Sequence, residues 1–72
     1  MDVKEKILSL EGKIALVVPK KDGENSFLAN VERVDKMTNT AILDIIGPPG
    51  ENGQEHWPID KIKDIVLIEE EK

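Results

Sequence analysis

Side chains that could perform acid–base or nucleophilic chemistry are few in this sequence, and their spacing does not bring them together. His56 is the single histidine, and cysteine is absent. Ser9 and Ser26 have no basic partner at a spacing that would activate a hydroxyl. Most acidic residues fall in expected turns or near the C-terminus, whereas acid–base catalysis needs two groups held in a cleft. We therefore predict a protein that is not an enzyme and binds no cofactor.

The same absences limit how so short a chain is stabilised. A core in a domain of 72 residues rarely supplies more than about 3–5 kcal/mol, so small domains often rely on disulfides, metals or oligomerisation. Without cysteine there is no disulfide and no thiolate metal site, and a single histidine argues against a zinc site with nitrogen ligands. We therefore expect no metal, and oligomerisation is the device that remains.

The charge balance is acidic. There are 15 acidic and 10 basic residues, which gives a net charge of −5. Proteins that neutralise many phosphates usually have a basic face. The one grouping of bases worth following is Lys20, Lys21, Arg33 and Lys36. A solvated strand end is the simpler interpretation of this grouping.

Nothing in the sequence predicts membrane insertion or secretion. No apolar run approaches the roughly 18 residues that span a bilayer. The charged start, residues 1–6, is followed by an apolar stretch too short for a secretory signal. We expect a cytoplasmic protein.

The pattern of apolar residues predicts one domain, residues 1–72, with a short helix followed by five strands. Asp2 suits a helix N-cap, Val3, Ile7 and Leu10 form one apolar stripe, and Gly12 suits the helix end. The helix is expected at about 3–10, the strands at about 13–19, 26–34, 39–46, 54–57 and 64–69, and a variable loop at 47–53. This order predicts a mostly-β fold, a strongly bent five-stranded antiparallel sheet or small barrel of the SH3-like kind.

Three local features refine this prediction. The continuous apolar run at 14–18 indicates a strand covered on both faces. The adjacent apolar residues Phe27 and Leu28 indicate a bulge or bend. Pro58 has no backbone N–H, so it should end the fourth strand and begin a helical turn that reaches Ile62.

The turn between the second and third strands resembles the first motif of the Sm and Sm-like proteins. That motif reads Asp-x-x-Met-Asn-x-x-Leu, and here Asp35, Thr38, Asn39 and Ile42 occupy the corresponding positions. Upstream, Val31 is at the position of the motif's leucine and Ala29 at that of its second glycine. The Lys-Asp-Gly of 21–23 falls near the motif's first glycine, with one extra residue in between. The chain thus resembles a divergent Sm-like protein, which implies that small barrel fold.

The resemblance also implies an RNA site at the same turn. In the family an aromatic or histidine stacks on uracil, an asparagine reads its edge, and an arginine from an Arg-Gly pair closes the pocket. Here Asn39 is in place, Met37 is at the stacking position, and the Arg-Gly position falls at about Pro58-Ile59, which removes the cation. The candidate RNA-binding residues are Asp35, Lys36, Met37 and Asn39. A role without ligand is also open, because Asp and Asn side chains commonly cap turns.

The last strand has more apolar surface than a monomer of this size can cover. Ile65 and Leu67 should point to one face, and Val66 and Ile68 to the other. One pair can fill the interior, and the other is left outside on an edge strand, which favours pairing with another chain.

The family implies the geometry of that pairing, a homo-oligomeric ring in which strand five of one subunit joins strand four of the next. Trp57 is expected to be a core or interface anchor whose indole N–H finds an acceptor, and His56 an exposed strand residue. The candidate interface residues lie on these two strands: Val66, Ile68, Ile65, Leu67, Trp57 and His56.

These observations leave two main functions open. The first is an Sm-like ring that binds RNA or supports a ribonucleoprotein through a depleted uracil pocket. The second is an acidic protein-interaction barrel that binds an unknown protein partner and no nucleic acid, which the net charge of −5 favours. An acidic mimic of nucleic acid is a third idea, supported by the charge alone.

Overall fold

The computed structural model describes residues 2–47 and 53–68. In chain order the elements are α1 (Val3–Ser9), β1 (Ile14–Pro19), β2 (Phe27–Asp35), β3 (Thr40–Gly47), β4 (Gly53–Pro58), a 3₁₀ turn (Ile59–Lys61) and β5 (Ile62–Leu67). The strands form one sheet in the order β4-β3-β2-β1-β5, with antiparallel pairing at every contact. The predicted mostly-β fold, a short helix followed by a five-stranded antiparallel sheet, is confirmed. The sheet is not closed, because β4 and β5 are its two edges.

Helix α1 follows from its local sequence. The Asp2 side chain accepts a hydrogen bond from the Glu5 N–H at 2.9 Å, which confirms the N-cap. Ile7 is fully buried, and Leu10, the C-cap residue, is buried beside it. Gly12 follows with a φ of +83°, a backbone conformation that suits glycine. The helix thus ends at Ser9, one residue before the expected end.

A single hydrophobic core lies on one face of the sheet, which we call the core face. It is built from α1, all the strands except β4, and the 3₁₀ turn. Its members are Ile7, Leu10, Ala15, Val17, Ala29, Val31, Val34, Ala41, Leu43, Ile45, Ile59, Ile62 and Ile65. Val3, Leu8, Phe27 and Trp57 are partly buried against this core.

The pairing of β2 with β3 shifts register twice. Between Leu28 and Ala29 the extra residue is Ile46 of β3, so the irregularity lies beside the Phe27–Leu28 step, where a bulge or bend was predicted, but on the partner strand. Between Val31 and Arg33 the extra residue is Glu32 of β2 itself. After the second shift the next buried side chain of β2 is that of Val34, which lies past the pairing of β2 with Ile14, the first residue of β1. The Glu11 carboxylate accepts from the Val34 N–H at 2.9 Å, so this amide is satisfied without a strand partner.

The outer face of β1 corrects one expectation. Ala15 and Val17 are fully buried on the core face, but Ile14, Leu16 and Val18 on the other face are only partly buried. The prediction of a strand covered on both faces is therefore wrong. The reason is that α1 packs Ile7 and Leu10 into the same core cluster as Ala15 and Val17, which leaves the outer face without that cover.

Strand β5 begins at Ile62 rather than at the expected residue 64. The 3₁₀ turn is only three residues long, and Lys63 is an extra residue opposite the Val18–Pro19 step of β1. This bulge lets both Ile62 and Ile65 face the core. Residue 69 of the predicted strand and residues 48–52 of the predicted loop lie outside the described residues.

Candidate functional site

The outer edge of β5 presents backbone groups that no described strand pairs. The Ile68 N–H donates to the Ile14 carbonyl at 3.1 Å, and the register to β1 is regular from residue 64 to residue 67. In an antiparallel ladder, alternate residues direct both backbone groups to the same neighbour. Residues 64, 66 and 68 therefore face β1, whereas Ile65 and Leu67 direct their N–H and C=O groups to the open edge.

The same alternation defines the open edge of β4. The Ile59 N–H donates to the Asn39 carbonyl at 3.0 Å, directly after the Thr40–Pro58 pair. Residues 53, 55 and 57 therefore face β3, and Gln54, His56 and Pro58 face outward. Pro58 has no N–H to offer, and proline at an edge limits indiscriminate strand pairing.

The side chains on β5 differ from the expected division into one inside pair and one outside pair. Val66 and Ile68 are 45% and 37% exposed, as expected for the outer face. Leu67 is 41% exposed although it lies on the same face as Ile65, so the apolar surface of β5 extends to both faces of the strand. Ile65 is only 1% exposed, so this interface candidate can contribute its backbone but not its side chain.

Trp57 and His56 lie on opposite faces of β4. Trp57 packs against the core with its ring centroid 5.3 Å from that of Phe27, and its indole N–H donates to the Glu55 carboxylate at 2.9 Å. It is thus a core anchor with an acceptor for its N–H, as expected. A groove of about 340 Å³ lies beside it, lined in part by Phe27 and Ile45. His56 is exposed on the outer face, opposite Ile42.

The turn between β2 and β3 holds the candidate RNA-binding residues. The Asp35 carboxylate accepts from the backbone N–H groups of Met37 and Thr38 at 3.0 and 3.4 Å, so it caps the turn. Asn39 has a φ of +56°, a conformation that asparagine tolerates better than most residues. Met37 is 96% exposed, and Lys36 and Asn39 are exposed as well. Turn geometry thus accounts for Asp35 and Asn39, while Met37 is left free at the tip.

Two turns that are distant in sequence meet beside Asn39. Its carbonyl accepts from the Ile59 N–H, which places the 35–39 turn against the segment that follows β4. An open cavity of about 400 Å³ nearby is lined by both turns and the strands between them, including Arg33, Asp35 and Pro58. Arg33 is therefore a cation near this position, although Pro58-Ile59 supplies none. Simple alternation along β2 would have assigned the Arg33 side chain to the core face, because the bulge at Glu32 reverses the face on which Arg33 lies.

Three of the four bases grouped in the sequence line two separate grooves, and the fourth, Lys36, is exposed and lines neither. Lys20 and Lys21 line a groove of about 490 Å³ together with Lys61, Glu24 and Asp60, and Arg33 lines the cavity described above. Both grooves include His56 and Pro58. The bases therefore flank the end of β4 rather than form one continuous basic face.

A salt bridge connects α1 to β5. The Lys6 Nζ lies 2.6 Å from the Asp64 Oδ1, and the same oxygen accepts from the Ile65 N–H at 2.8 Å. The Lys6 ammonium, followed by this backbone amide, lowers the pKa of Asp64 from its ordinary value. No sequence pattern indicated this contact, because the two side chains are 58 positions apart.

Metal-ligand clusters and membrane-spanning helices are absent from the described residues. Within 2–47 and 53–68, no three His, Cys, Asp or Glu side chains are grouped so that they could hold a metal ion. No helix in this part of the chain is long and apolar enough to cross a membrane.

Comparison with protein-family models, curated proteins and solved structures found no match to this chain. The resemblance to Sm-like proteins accordingly rests on the motif residues of the sequence.

Proposed function

We propose that the chain is the subunit of a homo-oligomeric, Sm-like scaffold in which β4 of one copy pairs with β5 of the next. The observation that carries the proposal is the pair of open edges at opposite ends of one sheet. Gln54 and His56 on one edge, and Ile65 and Leu67 on the other, are each two residues apart. An antiparallel pairing of these residues would form up to four backbone hydrogen bonds per contact.

The faces of the two strands support the same pairing. In an antiparallel ladder, two residues that lie opposite each other place their side chains on the same face. Across the contact, the residues of β5 whose backbone groups face β1 would lie opposite the residues of β4 whose backbone groups face β3. Val66 and Ile68 would therefore share a face with Glu55 and Trp57 of the neighbour. The groove beside Trp57, lined by Phe27 and Ile45, lies on this face. Assembly would extend the neighbour's core over the apolar surface that the monomer leaves exposed.

The symmetry of the contact determines the kind of assembly. Each copy uses two unlike edges, so the contact is head-to-tail, and such contacts form a ring when the rotation closes. Pro58 also works against pairing of two β4 edges with each other, because each copy lacks one donor there. A ring by strand four to strand five pairing is the assembly that these edges favour.

The assembly is tested by measuring the mass of the wild-type chain between about 1 and 100 µM by light scattering behind size exclusion. We expect a discrete multiple of the 8.1 kDa subunit. A uniform 8.1 kDa species throughout this range would refute the scaffold. Masses that rise continuously with concentration would indicate an open filament rather than a ring.

RNA binding is a second candidate function, favoured by the contact that brings the Asn39 turn against residues 58–59. In a ring, each subunit would present Met37 at an exposed tip and Arg33 nearby. The test is binding of a short uridine-rich oligonucleotide at low and at high salt, with Met37→Ala as the site variant and Lys4→Ala as a control for charge and handling. Absence of binding at low salt would remove this function and favour the acidic protein-interaction scaffold.

A further inference from the structure

One of the two outward-facing amides of β5 is already occupied within the chain. Ile65 and Leu67 direct their N–H groups to the open edge, and the Ile65 N–H donates to the Asp64 carboxylate at 2.8 Å. A neighbouring strand would need this same donor for its own carbonyl. The side chain of Asp64 therefore occupies a position on the edge that the incoming strand must take.

The carboxylate is held in this position by the helix. Lys6 contacts the oxygen that accepts from Ile65, and Ile7, the next residue of α1, is fully buried in the core. The packing of Ile7 thus fixes the part of the helix from which Lys6 reaches the edge. Lys63, adjacent in the chain, is the other cation that acts on Asp64. The state of the β5 edge is consequently connected to the docking of the N-terminal helix.

We propose that Lys6, Asp64 and the Ile65 N–H form a gate on the β5 edge, which we call the Asp64 gate. With the gate closed, the Leu67 N–H is the backbone donor that residues 64–68 leave available to a neighbouring strand. Pairing with β4 of a neighbour requires Asp64 to turn away, so that the Ile65 N–H can donate to the neighbour's carbonyl. The inference rests on the proposed scaffold and adds a regulator to its interface, since anything that displaces α1 would open the edge.

The gate itself is tested in the monomer, independently of assembly. Amide exchange is measured by NMR in a Val66→Glu background, in which assembly is expected to be lost and no new cation is placed beside Asp64. The Ile65 N–H should exchange about tenfold more slowly than the Leu67 N–H after correction for intrinsic rates, and Asp64→Ala should remove this difference. Lys4→Ala, on the same helix, should leave it unchanged. Equal protection at the two amides would overturn the gate.

The effect on assembly is tested in the otherwise wild-type chain. Asp64→Ala should lower the dissociation constant per contact by about tenfold, since the amide no longer has to be released first. Lys6→Ala should lower it by about threefold, because Asp64 then keeps its bond to Ile65 but loses its anchor, and Lys4→Ala should have no effect. If Asp64→Ala does not fold, Asp64→Asn provides the second variant, with an expected change in the same direction.

The outcomes separate the gate from the scaffold. Assembly of the wild-type chain with no tightening by Asp64→Ala overturns the gate and leaves the scaffold in place. A wild-type chain that is monomeric throughout the concentration range refutes the scaffold and with it the role of the gate in assembly. Equal protection of the Ile65 and Leu67 amides overturns the gate whether or not the chain assembles.

Discussion

Val66 provides the most direct test of how the subunits contact one another. It is 45% exposed in the subunit, and full burial of a valine contributes about 1.5–3 kcal/mol, so covering the exposed part should contribute about 1 kcal/mol per contact. Glutamate at this position would lose that contribution and would place a second carboxylate opposite Glu55 of the neighbour, beside a groove that Glu24 also lines. With about 1 kcal/mol for this like-charge contact, the dissociation constant should rise about 30-fold.

The same substitution should hardly affect the subunit. Because Val66 makes its remaining contacts on the outer face of an edge strand, Val66→Glu should change the free energy of unfolding by less than about 1 kcal/mol. Ile46→Glu is the matched control, since Ile46 is 44% exposed and lies on β3, which is not an edge strand.

The assay combines mass by light scattering with urea unfolding of each variant. We expect Val66→Glu to yield a folded monomer and Ile46→Glu to keep the wild-type mass. Loss of assembly in both variants would show that charge alone disrupts it. An unfolded Val66→Glu chain would show that this side chain belongs to the core of the subunit, and the face assignment would be wrong.

The remaining predictions concern the subunit. Leu43→Ala removes a fully buried side chain and should reduce the free energy of unfolding by about 2–5 kcal/mol in urea titrations. Asn39→Val should cost about 1–2 kcal/mol, because a β-branched residue is strained at a φ of +56°, whereas Asn39→Gly should be close to neutral. The lowered pKa of Asp64 means that its contribution to stability is present above the unfolded pKa of about 4 and is lost as the pH falls through the lower folded pKa. Thermal unfolding between pH 5 and pH 2 should therefore show a weaker pH dependence for Asp64→Asn than for the wild type, and an unchanged profile would contradict the ion pair.

Local rules were sufficient for much of the fold. Neighbouring residues determine the N-cap at Asp2, the buried stripe of α1 and the end of strand β4 at Pro58. The sequence therefore predicts these features. The bulge at Lys63 and the cover of β1 depend on which element packs against which face. A continuous apolar run shows that both faces of β1 are apolar, but it does not specify a neighbour for each.

The candidate site divides in the same way. Asp35 as a turn cap follows from residue type at a turn, whereas the meeting of Asn39 with Ile59 depends on the register between β3 and β4. The contact of Lys6 with Asp64 depends on how α1 docks beside β5, and nothing near either residue signals it. Contacts set by docking and register are those that a single sequence leaves undetermined.

The bulge of β2 at Glu32 has a consequence for the size of the proposed assembly. A bulge bends its strand and increases the local twist, so this extra residue between Val31 and Arg33 should contribute to the angle between the β4 and β5 edges. The angle between the two edges is the angle by which each copy is rotated relative to the previous one. Subunit number would then be encoded in the curvature of the subunit rather than in the contact residues. Deleting Glu32 should change how many copies close the assembly, which native mass spectrometry would show as a different discrete mass. Gln54→Ala loses the same side-chain hydrogen bond to Glu32 without removing the bulge, and it should keep the wild-type number of copies.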